Sequence, residues 1–159
     1  MAAALLLAAT AMSACAQDRP TPPAGAGPLP DDVRAAYDGF WAAWVAARET
    51  SDPDLPALAE QIADPLLSTV RGTLAAAREQ DRVTRGTVGH RIEEMTLDGD
   101  ARRIVDCVDI GRWRLHAAST GEPLPGQLGG ERSQLTEIVL RPVDGRWKAA
   151  NMYILADRC

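Results

Sequence analysis

Helix-forming and strand-forming segments do not alternate along this 159-residue chain; they are separated near Gly86. Before that point apolar residues recur at helical period. Val33, Tyr37, Phe40, Trp41 and Trp44 fall at i, i+4, i+7, i+8 and i+11, one stripe along a helix that opens at the acidic pair Asp31-Asp32 and stops at Thr50-Ser51-Asp52-Pro53. Arg34, Asp38 and Arg48 lie off that stripe. A short second helix fits residues 54–63, with Leu55, Leu58 and Ile62 inward. Asp64-Pro65 then restarts the chain as a cap and a first-turn proline, and the third helix runs through Leu66, Leu67, Val70 and Leu74 to about Asp81. Past Gly86, β-branched residues and turn signals take over. Strands are predicted over 87–97, 103–110, 112–117, 132–141 and 146–155, with turns at Asp98-Gly99-Asp100 and Pro142-Val143-Asp144-Gly145 and a loop over 119–130. The last strand is expected to show Trp147, Ala149, Asn151, Tyr153 and Leu155 on one face. Helices first and an antiparallel meander afterwards define an α+β fold in which N-terminal helices pack on a curved antiparallel sheet, here as one domain over residues 31–159.

The chain ahead of that domain has its own pattern. Ala2 to Met12 is an uncharged apolar run, followed by Ser13-Ala14-Cys15 and then by a Pro/Gly-rich stretch to Pro30. A cysteine directly after small residues resembles a bacterial lipoprotein signal, with Met12 where leucine is usual and no Lys or Arg ahead of Cys15. The resemblance implies a signal peptide over residues 1–14, diacylglycerol on Cys15, and a disordered tether over 15–30. It places the protein on the extracytoplasmic face of the cell membrane, held by lipid. Such a tether in polyproline II form reaches roughly 40–50 Å at about 3.1 Å per residue.

With Cys15 assigned to lipid, Cys107 and Cys159 remain as an expected disulfide in an oxidising compartment. They form no CxxC pair and no histidine is near them in sequence, so no metal site is expected. The net charge of −5 speaks against nucleic acid as a partner, which selects basic surfaces. Lys148 is the sole lysine beside many arginines and alanines, a bias of GC-rich coding rather than of phosphate recognition.

A family resemblance rests on the helix-one aromatics Y-D-G-F-W-A-A-W, the R-I-V-D-C segment followed by Trp113, the G-E-P loop at Gly121 to Pro123, and V-D-G-R-W-K-A with a terminal cysteine. These resemble the cystatin-like, nuclear-transport-factor-2-like cone, and more closely a group of actinobacterial lipoproteins of that fold whose function is uncharacterised. The resemblance implies a gap between helices and sheet, which members of this fold use for catalysis, for protein contacts or for nothing known. Tyr37, Trp41, Trp44, Asp106, Trp113, Asn151 and Tyr153 are the candidate pocket-lining residues, and His90, Asp109 and His116 are further polar ones.

An isomerase-type site needs a carboxylate base and an oxyanion donor in a dry cavity, and Asp106 with Tyr37 or Tyr153 is the best pairing the chain offers. Against it, Asp106 adjoins Cys107 and so takes the opposite sheet face, and each histidine has an arginine within two residues, Arg91 or Arg114, and is expected to be solvated. No nucleophile elbow, Walker loop, H-E-x-x-H or dinucleotide fingerprint occurs, and Gly129-Gly130 has no helix after it. The expectation is a non-enzymatic, cofactor-free domain that binds a protein or cell-envelope partner. The alternatives are an apolar small molecule or lipid in the cone pocket, and an isomerase or hydrolase using the same pocket.

Overall fold

The computed structural model describes residues 28–127 and 132–159; the signal, Cys15, the tether up to residue 27 and Gly129-Gly130 lie outside the described residues. Helix α1 (Asp31–Thr50) buries Val33, Tyr37, Phe40, Trp41 and Trp44 together, as their spacing requires. Its acidic first turn and Arg48 in its last turn match the helix dipole. Ser51 ends it in the left-handed region and ties the end down, donating its Oγ to the Arg82 carbonyl and accepting Arg78 Nε on its own carbonyl.

Helix α2 (Pro56–Gln61) is shorter than the sequence predicts. At its start the Asp52 side chain holds the Asp54 amide in a turn. At its end the last strand recruits the backbone: Ile62 is extended and bridges Ala149, whose carbonyl accepts the Ala63 amide at 2.9 Å. Helix α3 (Leu66–Glu79) starts under the Asp64 carboxylate, which accepts both the Ser68 amide and its hydroxyl.

Strands β2 (Gly89–Asp98), β3 (Ala101–Asp109), β5 (Ser133–Val143) and β6 (Arg146–Ala156) form an antiparallel sheet in the order β2-β3-β5-β6. The expected meander omits one element and misplaces another. Strand β1 (Arg82–Arg85) was not expected, being too short to show a period, and β4 (Arg114–Ala117) leaves the sheet to pair with it. Gly86 makes the crossing of these two segments fit. Its φ is +112°, and a Cβ there would stand 1.9 Å from the Arg112 carbonyl oxygen.

Register decides which side chains meet the helices. Ile104, Asp106 and Val108 of β3 lie on the helix side with Ile138 and Leu140 of β5, and Phe40, Leu58, Ile62, Leu74, Ile104, Ile138 and Leu140 form the fully buried centre. The opposite face carries Arg103, Val105 and Cys107. The single-face expectation for β6 does not hold. Ala149 pairs with Leu140 but Asn151 pairs with Val139, so Ala150 is an extra residue and the alternation reverses there. Trp147 and Ala149 therefore share the helix side with Met152, whereas Asn151 and Tyr153 lie on the outer face, and Leu155 sits in a second irregularity.

The final residues fold back across the outer face, where Cys107 and Cys159 are joined with their Cα atoms 5.7 Å apart. The Cys159 amide donates to Ser133 Oγ on the way. No described helix is long and apolar enough to cross a membrane.

Candidate functional site

Where α1 crosses the sheet, a buried polar cluster interrupts the apolar core. Asp106 on β3 is completely buried and Tyr37 on α1 is nearly so. The Tyr37 hydroxyl donates to Asp106 Oδ2 in a short hydrogen bond, and His90 Nδ1 donates to the same oxygen at 2.7 Å. The other oxygen accepts the Arg91 amide at 2.8 Å. Burial, and next to it the Asp106 hydrogen bond, raise the Tyr37 pKa far above that of an ordinary tyrosine, so the phenol stays a neutral donor.

The sequence reading discounts Asp106 and treats His90 as solvated; the structure corrects both. Asp106 does take the face opposite Cys107, but that face is the helix side. His90 keeps 25% of its side chain exposed and sits 4.8 Å from the Trp41 ring, centroid to centroid. Its Nε2 has no hydrogen-bond partner among the described residues and is free for one.

The other candidates divide. Tyr153 is 48% exposed on the outer face with Asn151, so neither lines an interior pocket; the extra residue at Ala150 is the physical reason. Trp44 and Trp113 meet edge to face at 6.4 Å, and Arg48, which is not a free surface residue, lies over both rings at 5.3 and 5.7 Å. Burial lowers the Arg48 pKa from its usual value. Trp113 belongs to the bend before β4 rather than to the main sheet. His116 donates to the Gly121 carbonyl at 2.9 Å, and Asp109 accepts the Gly111 amide in a turn. Among the described residues no group of acidic, histidine and cysteine side chains is arranged to hold a metal.

The concavity next to this cluster lies outside the cone. A groove of about 380 Å³ runs between α1 and the segment entering β2. Asp38, Trp41, Ala42, Val45, Ala46 and Glu49 line it from α1, and Gly86, Thr87, Val88 and His90 from the other side. Of the pocket candidates read from the sequence, Trp41 and His90 border it.

No family model matches the sequence, and no curated protein matches it. Solved structures do. The intermembrane-space region of the chloroplast protein ARC6 is similar over 81% of this chain and 99% of its own, at 14% identity and a TM-score of 0.57. A protein of unknown function with a cystatin-like fold from Nostoc punctiforme is similar over 79% of this chain and 92% of its own, at 11% identity and a TM-score of 0.48. A chain described as Rd1NTF2_05 follows at 12% identity and a TM-score of 0.39, over 76% of this chain and 97% of its own. The first of these likenesses concerns the fold alone, a mixed α+β architecture.

Proposed function

We propose that this chain is the globular head of a lipid-anchored envelope protein that works by binding a protein partner and not by catalysis. The observation that carries the reading is an exposed apolar run on an open sheet edge. Tyr153, Ile154 and Leu155 are 48%, 56% and 51% exposed and follow one another on β6. The first half of that edge is covered, since Ile62-Ala63 bridges Ala149 and Lys148 reaches the Ala59 carbonyl. Past Ala149 no described strand pairs with β6 on its outer side. An uncovered strand edge carrying large apolar side chains is a template for strand addition by another chain.

The interior supports the same reading. A packed apolar cluster lies between the helices and the sheet, and the carboxylate buried beside it already accepts from Tyr37, His90 and Arg91. A carboxylate whose lone pairs are committed in this way is satisfied as a structural group is. The anchor rests on the apolar run ahead of Cys15 and on the small residues Ser13 and Ala14.

Two comparisons test the proposal. In detergent phase separation the wild type is expected in the detergent phase and Cys15→Ala in the aqueous phase; equal aqueous release of both removes the anchor. In affinity purification from native membranes, Ile154→Asp is expected to lose a protein that the wild type retains. Equal recovery by both removes the β6 edge as the binding surface. Turnover of an epoxide, ester or steroid enone that Asp106→Asn abolishes would replace binding by catalysis.

A further inference from the structure

The groove beside His90 has a charge pattern that the β6 edge does not explain. Its floor is apolar: Trp41, Ala42, Val45 and Ala46 form a second stripe on α1, and Val88 faces them. Carboxylates stand at both ends, Asp38 at one and Glu49 at the other. Eleven residues of α-helix separate them, about 16 Å at the usual rise. No lysine or arginine is among the lining residues, although the chain contains seventeen of them. Among the described residues Asp38 is paired only with Arg34 one turn away, with both side chains more than half exposed. An exposed pair of this kind is readily exchanged for another cation. Glu49 forms no ion pair among the described residues. Next to Asp38 the Trp41 and His90 rings border the groove, and an aromatic face favours a cation over a neutral group.

We propose that this groove binds a linear aliphatic polyamine. Its terminal ammonium groups pair with Asp38 and Glu49, and its methylene segments lie along Trp41, Val45 and Val88. The volume lies in the range of small-molecule sites. The length requirement follows from the helix: a short diamine can satisfy one carboxylate but not both. The site depends on this domain binding rather than catalysing, but neither on the lipid anchor nor on the β6 edge, so it stands or falls separately from them.

Titration calorimetry of the full-length protein in a non-ionic detergent, at moderate salt, tests this with spermine and putrescine as probes. Spermine is expected to bind one saturable site, with putrescine roughly tenfold weaker. Glu49→Gln is expected to weaken spermine about fivefold, the upper range for one exposed ion pair. Val45→Lys, which puts an ammonium group on the apolar floor, is expected to weaken it by roughly tenfold or more. Glu60→Gln removes the same charge from α2, away from the groove, and is expected to change nothing. Far-ultraviolet circular dichroism of each variant guards against misfolding, and Glu49→Gln, at an exposed position, carries the test if Val45→Lys is unstable. Equal weakening by Glu60→Gln and Glu49→Gln would mean diffuse attraction to a net acidic protein and would overturn the site. So would equal affinity for the two amines, or no binding of spermine.

Discussion

At the scale of single residues, the contact between Tyr37 and Asp106 joins the first helix to the middle of the sheet, across 69 residues of chain. A carboxylate without water must have its lone pairs satisfied, and this one receives a phenol, an imidazole and a backbone amide. Tyr37→Phe leaves packing almost intact but removes one donor, and is expected to cost about 1–3 kcal/mol in denaturant unfolding. The same residue gives a pH signature. Its folded pKa is raised, so its contribution is fully present below the unfolded tyrosine value near 10 and is lost as pH rises beyond it. Stability is expected to fall on the alkaline side, with a flatter alkaline limb in Tyr37→Phe. Parallel alkaline limbs would show that the phenol is not buried as described.

The sequence shows both Tyr37 and Asp106 as candidates but not their meeting with His90, for a definite reason. Counting back from the turn after Asp98 in an unbroken hairpin puts Glu93 opposite Asp106, and His90 on the other face. The actual register shifts between Ile92 and Glu94, so Ile92 opposes Asp106 and His90 becomes its diagonal neighbour. One extra residue turns the imidazole inward. Bulges of this kind leave no clear mark in a single sequence, and the same blindness misplaces Asn151 and Tyr153.

At the scale of elements, the long periodic segment is the most legible. Every residue of the Val33-to-Trp44 stripe is buried, because a twenty-residue amphipathic helix has one way to hide five large apolar groups. Trp44→Ala is expected to cost about 3–5 kcal/mol, as for other buried large aromatics; a loss below roughly 1 kcal/mol would contradict its packing on Trp113. The four-residue strand β1 is illegible for the opposite reason. Arg82 and Arg85 are exposed and only Val83 and Thr84 are buried, too little for any period to show. Its existence is a consequence of tertiary pairing with β4. The cysteine pair belongs to this scale too. It fixes the end of β6 across β5 onto β3, and the 52-residue separation corresponds to about 4 kcal/mol in the chain-entropy model. Reduction under native conditions is expected to lower stability by that order, and thiol titration of the unfolded, unreduced protein should find neither Cys107 nor Cys159 free.

At the scale of the whole molecule, the helices pack their apolar stripe against the concave side of the sheet. The aromatic residues that could have lined a ligand cavity instead pack on one another and on Arg48. The far half of β6 and the acidic groove along α1 are open, on separate elements. On the proposed reading, a lipid-tethered domain with these two surfaces holds a partner strand at one while the other stays accessible.

Site-specific photo-crosslinking in native membranes tests that account most directly. A photoreactive residue in place of Tyr153, at the open edge, is compared with one in place of Thr96 on β2. The account predicts a discrete protein adduct from position 153, lost when Ile154→Asp is added, and none from position 96. No adduct at 153, or the same adducts from both positions with and without Ile154→Asp, would contradict it.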